Sequence, residues 1–234
     1  MKVGMIQSSY LPWQGYFDFI DDVDTFVFYD DVQYTRRDWR NRNRFYSTNG
    51  PYWLTVPVHF SQTQKQEIRH TQIDYSQNWQ NKHVGSLKHN YQKAPYFEDY
   101  AYDLFSILET SHDSISSLNI SLIKFLADVL QINTTYMYSW ELGIEGNRNT
   151  RIIEILKHLG ATEYLVGPTA GAYIDEDLYA AAGIKLKYKA YDYSEYAQQG
   201  KKFQSNLSVV DLLFNCGENS RRYLKSTVEN KFVI

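Results

Sequence analysis

The order of its apolar runs constrains this chain most. Residues 2–7 read as a short buried strand, and residues 15–22 follow with Phe17 and Ile20 at helical spacing. DTFVFYDD at 24–31 then reads as a second strand set between aspartates. Asn49-Gly50 signals a turn, and YWLTVPV at 52–58 reads as a strand ending near Pro57. From about 78 to 132 the period turns helical. Trp79, His83, Leu87 and Tyr91 fall on one face, Pro95 opens a second helix, and a third runs from Ser116 to Leu130. After it come a strand at 134–140, a helix with Asn149 or Thr150 as N-cap and Gly160 past its end, and strands at 162–167 and 183–191. A last helix is capped by Ser208 and closed by Gly217. Strand–helix–strand at both ends predicts an α/β fold: a three-layer, mostly parallel sheet with a helical insertion at about 78–132, in a single domain spanning 1–234.

Parallel sheets bind ligands beyond the carboxyl ends of their strands. Two unusual loops follow the first two strands. The first, SSYLPWQGYF, leaves a buried strand through rings and hydrogen-bonding groups instead of a small turn. Gln7, Tyr10, Trp13, Gln14 and Tyr16 supply them, and Gly15 permits close backbone approach. The second loop carries Gln33, Arg36, Arg37, Arg40, Arg42 and Arg44, interleaved with Trp39, Asn41 and Asn43. Arginine forks suit phosphate and carboxylate, so this loop is the expected phosphate or pyrophosphate site. If the first two strands are parallel, the two loops lie side by side. Asp30 and Asp31, at the end of the second strand, can act as base, hold Mg²⁺, or pair with the nearby arginines. Asp30, Asp31 and Gln14 are the expected catalytic residues.

Other chemistry is disfavoured. The net charge of −3 weighs against a general nucleic-acid binder. The single cysteine excludes an internal disulfide framework and favours a reducing compartment. No run approaches the roughly 20 apolar residues of a membrane span, and a cytoplasmic protein is expected. His83 and His89 lack the i, i+4 spacing of a helical metal pair, and no zinc site is expected. The loop VGPTAGAY matches neither common phosphate-binding glycine pattern. Tyrosine, phenylalanine and tryptophan make up 16% of the chain, which suits either stacking on sugars and bases or an aromatic core.

The stretches QSSYLPWQGYFDFIDDVDTFVFYDDVQYTRRDWRNRNRF, WLTVPV, LGATEYLVGPTAGAYID and YAQQGKKFQSNLSVVDLLFNCG together resemble the WbqC-like family of bacterial surface-polysaccharide (O-antigen) gene clusters. Ser8-Ser9 stands where that family usually has Gln-Pro. The resemblance implies a role in surface-glycan synthesis, with glycine transfer proposed for one branch. The opening also resembles a nucleotidylyltransferase (HUP-like) turn, with Trp13, Gln14, Gly15 and Tyr16 at the His-x-Gly-His positions. Gly15 matches and both histidines are absent. Three functions follow as expectations. One is a transferase acting on a nucleotide-linked amino sugar or other phosphorylated substrate. Another is an ATP- and Mg²⁺-using enzyme that activates a carboxylate. The last is a non-catalytic sugar-nucleotide-binding partner of a glycosyltransferase.

Overall fold

A computed structural model describes residues 1–61, 65–200 and 202–233. The central sheet has the order β5-β2-β1-β6-β7-β8. Its strands are β1 (Lys2–Ile6), β2 (Thr25–Phe28), β5 (Thr135–Tyr138), β6 (Glu163–Val166), β7 (Lys185–Tyr188) and β8 (Lys231–Val233). The first five are mutually parallel, and β8 alone runs antiparallel, beside β7. Among the parallel strands the spatial order is third, second, first, fourth, fifth. The direction of winding therefore reverses between β1 and β6, as in doubly wound nucleotide-binding sheets.

Alternation along the strands separates two cores. Val3, Met5, Val27, Tyr164, Val166 and Leu186 face α5 (Arg148–His158) and α6 (Glu176–Ala181). Phe26, Phe28 and Leu165 face the opposite way, against α1 (Gln14–Asp21), α4 (Ile115–Val129) and α7 (Val209–Cys216). This is the expected three-layer arrangement. Gly4 is required where α1 crosses β1, because a Cβ there would lie 2.5 Å from the Phe19 ring. Much of the aromatic content is spent here: Phe28 stacks on Tyr136 and Tyr138 at 5.7 and 5.8 Å. Each such ring contributes about 1.5–3 kcal/mol by burial.

Ahead of β5 in the chain lie α2 (Trp79–Tyr91), α3 (Phe97–Glu109) and α4. Leu87, Leu104, Leu118 and Leu122 of these helices belong to the same apolar cluster as Phe26 and Phe214. α4 starts on a capping box in which Ser114 and Ser117 satisfy each other's backbone amides. α7 begins at Ser208 and stops at Gly217, whose φ of 53° ends the helix.

Two local expectations are corrected, and three short elements are added. The arginine loop is not loop throughout: β3 (Arg42–Phe45) pairs antiparallel with β4 (Tyr52–Thr55). The period-2 pattern Arg-Asn-Arg-Phe buries Asn43 and Phe45 and turns Arg42 and Arg44 outward. The N-cap of α5 is Asn147, not Asn149 or Thr150; Thr150 donates instead to the Asn147 side chain at 2.6 Å. Finally, α6, α8 (Ser220–Leu224) and β8 lacked a clear periodic signal because each is only one or two turns, or three residues, long.

Candidate functional site

β1 and β2 are adjacent and parallel, and their following loops pack directly on each other. The Tyr10 amide donates to the Trp39 carbonyl at 2.9 Å, and Asn43 donates to the Tyr10 and Leu11 carbonyls. Arg40 turns inward and donates to Gln7 O, Ser8 O and Ser9 Oγ at 2.8–3.0 Å. Asn119 on α4 bridges Ser8 and the Arg40 carbonyl. Asn41 donates to Val56 O. Backbone oxygens of residues 7–11, with the Ser8 and Ser9 hydroxyls, thus form an interior hub that ties both loops and α4 to the strand ends.

Asp30 is the carboxyl group of this hub. It is fully buried and accepts from the Ser8 amide at 2.8 Å and from Ser116 Oγ at 2.5 Å. Burial raises its pKa, and the hydrogen bonds from Ser116 and Ser8 offset only part of that. Asp31 points elsewhere, to Ser139 and to an ion pair with Arg151, whose guanidinium also donates to Ile144 O. Burial alone would raise the Asp31 pKa, but Arg151 and Ser139 outweigh it and hold the carboxyl below its ordinary value. The two neighbours have separate partners and do not converge on one point. Among the described residues no three His, Cys, Asp or Glu side chains gather in metal-binding geometry.

The first loop is likewise turned inward. Tyr10 is fully buried and its hydroxyl meets His83 Nδ1 at 2.8 Å; burial pushes the His83 pKa down to about 4. Tyr16 is enclosed and donates to Gln7 O. Trp13 stands edge-on to Tyr191 and Tyr193, and Gln14 donates to Tyr223 O. Gly15 is needed for packing: a Cβ would lie 2.3 Å from the Trp13 ring.

What remains open to solvent is the outer side of the second loop. Tyr34, Arg36, Arg37, Asn41 and Arg42 face Thr55, Val58 and Phe60 across a cleft of about 500 Å³. Arg42 lies 4.4 Å above the Trp53 ring and donates to the Arg37 carbonyl at 2.6 Å. Arg36 lies 5.5 Å from the Phe60 ring. Trp39 and Trp53, both 44% exposed, pack at 5.3 Å beside it. Arg37 holds φ at 54°, a left-handed conformation that is costly for a residue with a Cβ. Among the described residues Arg36, Arg37 and Arg42 form no ion pair; Asp38 is taken by Thr35, the Trp39 amide and, at 3.9 Å, Arg40. Gln33 sits at the loop's exposed start, and its Oε1 accepts from the Gln66 amide.

A second polar cleft, of about 450 Å³, lies beyond β2 and β5 and is walled by Asp31, Glu67, Arg69, Ser139, Trp140 and Arg151. Its residues outside the second strand's end were missed from sequence. The rule that led to the loops after β1 and β2 applies equally to the third parallel strand, β5, which is followed at once by Ser139 and Trp140.

The chain matches the WbqC-like protein family over residues 7–223. It is similar to "Uncharacterized protein Rv1507c" of Mycobacterium tuberculosis, with 40% identity over 226 residues, covering 96% of this chain and 97% of that protein. No solved structure matches it. The match runs from the end of β1 to α8, across both loops, the hub and the clefts, and the chain therefore belongs to the WbqC-like protein family.

Proposed function

We propose that the chain is a transferase of surface-polysaccharide synthesis that binds a nucleotide-linked sugar through its diphosphate in the arginine cleft. One observation carries this reading: Arg36, Arg37 and Arg42 share one cleft with no carboxylate partner among the described residues. Like charges brought together cost free energy, and so does a left-handed arginine; such features persist where function uses them. A diphosphate supplies the missing counter-charge through charge-assisted hydrogen bonds. The exposed Trp39–Trp53 pair offers a flat surface for a base or sugar. Asp31, an ionised carboxylate in the neighbouring cleft, is the candidate base, and glycine is a candidate group for transfer to a sugar amine. Activated sugars are made in the cytoplasm, where this chain would work; no helix among the described residues is long and apolar enough to cross a membrane.

A second reading draws on the sheet. Its winding order is that of nucleotide-binding folds, which by analogy of fold favours an enzyme using ATP and Mg²⁺ to activate a carboxylate. Isothermal titration separates the two. Binding of UDP, GDP or dTDP without metal, abolished by salt and by loss of Arg37, supports the first. Binding of ATP only with Mg²⁺, indifferent to Arg37, overturns it in favour of the second.

A further inference from the structure

A cleft of about 520 Å³ lies between α4 and the end of β5. This size falls in the range of small-molecule sites. Its aromatic wall is Tyr138 and Trp140, packed at 4.9 Å. Opposite, Ser117, Ser121 and Lys124 form one stripe of α4 at helical spacing. The hydroxyl hydrogens of Ser117 and Ser121 are spent on backbone carbonyls, at 2.8 and 2.9 Å; Ser117 Oγ also accepts from the Ser114 amide, so Ser121 Oγ is the acceptor facing the cleft. Donors come from three nitrogen-bearing side chains on the rim. Lys124 is steadied by Tyr138 Oη at 2.6 Å, Arg69 by Glu67 at 2.7 Å, and His70 completes the set with its Nδ1 3.6 Å from the same Glu67 carboxylate. No carboxylate lines the cleft among the described residues, and Lys124 has no ion-pair partner among them.

Flat apolar rings flanked by both hydroxyl acceptors and cationic donors match one ligand class well. A pyranose presents a C–H face to an aromatic ring and a rim of hydroxyls that both donate and accept. Glu67 balances one positive charge of the rim, and Lys124, with no carboxylate partner among the described residues, favours a ring that also bears an acid group. The cleft also adjoins its neighbours. It shares Arg69 and Trp140 with the Asp31–Arg151 cleft, and His70 with a cleft that reaches Phe60 at the arginine site.

We infer that this cleft is a second subsite, which binds an acidic pyranose against Trp140 and Tyr138 with its acid group among Arg69, His70 and Lys124. Its description as the acceptor of the transfer rests on the proposed function; binding itself does not. Titration with methyl β-D-glucuronide and methyl β-D-glucoside tests it on the wild type, Trp140→Ala, Lys124→Met and Arg37→Gly. UDP is titrated in parallel. The glucuronide is expected to bind the wild type more tightly than the glucoside, and about tenfold or more weakly to Trp140→Ala and Lys124→Met. Arg37→Gly should keep glucuronide affinity, and Trp140→Ala should keep that for UDP. Lys124 is exposed, so Lys124→Met reports on binding even if Trp140→Ala fails to fold. No glucuronide binding by the wild type, equal binding of the glucoside, or unchanged affinity in Lys124→Met overturns the inference. Glucuronide binding without UDP binding leaves this subsite standing and removes the arginine-cleft reading.

Discussion

Arg37→Gly separates ligand binding from folding more cleanly than any alanine in the same loop. Arg37 is exposed, forms no ion pair among the described residues, and contributes its carbonyl, not its guanidinium, to the bond from Arg42. Glycine keeps that carbonyl. At φ 54° it also removes a steric cost of about 1–2 kcal/mol. Against this stands the greater freedom of glycine in the unfolded chain, about 0.5–1 kcal/mol. Net stability should therefore change by about 0–1.5 kcal/mol, in the stabilising direction. Binding should move the other way. Loss of a charge-assisted contact to a phosphate oxygen costs roughly 1.5–3 kcal/mol, about ten- to hundredfold in Kd. Thermal melts and UDP titration on the same samples make the comparison. An unchanged Kd would refute the phosphate reading, and a fall in Tm of several degrees would show that the side chain holds the loop.

Four further outcomes follow from the geometry. Ser116→Ala removes a 2.5 Å donor from buried Asp30 and should cost about 1–3 kcal/mol in urea unfolding, whatever its effect on activity. Gly15→Ala drives a methyl into the Trp13 ring and should destabilise by about 1–3 kcal/mol, read as a lower denaturation midpoint. Asp211, buried and accepting from Tyr196 and Gln198, has its pKa pushed up to about 6 by burial. Its folded pKa exceeds the unfolded value, so its contribution to stability is full below about pH 4 and is lost as pH rises to about 6. Unfolding curves from pH 4 to 7 that lack this loss in wild type relative to Asp211→Asn would contradict it. The helices α2–α4 share their core with β2 and α7, so limited proteolysis should not release residues 78–132 as a stable fragment.

Local chemistry made much of the architecture legible. Apolar runs of strand length, helical-period stretches, and the Ser208 and Gly217 end signals act over a few residues, so the order of elements and the three-layer fold could be read directly. The two loops could be placed together because parallel neighbours β1 and β2 must release their chains on the same edge. Which way each polar side chain points was a different matter. Arg37 and Arg40 are three residues apart in one loop and look alike in sequence. Arg40 meets three oxygens of residues 7–9 and becomes part of the interior, whereas Arg37 meets none and stays in the cleft. Asp30 and Asp31 diverge in the same way, one toward Ser116 and the other toward Arg151, partners 86 and 120 residues away. Tyr10, which looked like a ligand-stacking ring, is buried because His83 of α2 offers it a nitrogen. A buried polar group must find a partner, and those partners come from remote segments. The order of elements along the chain followed from short-range pattern; the order of strands in the sheet and the division of the loops between interior hub and open cleft were decided by tertiary contacts, since only they bring the remote oxygens, nitrogens and counter-charges within reach.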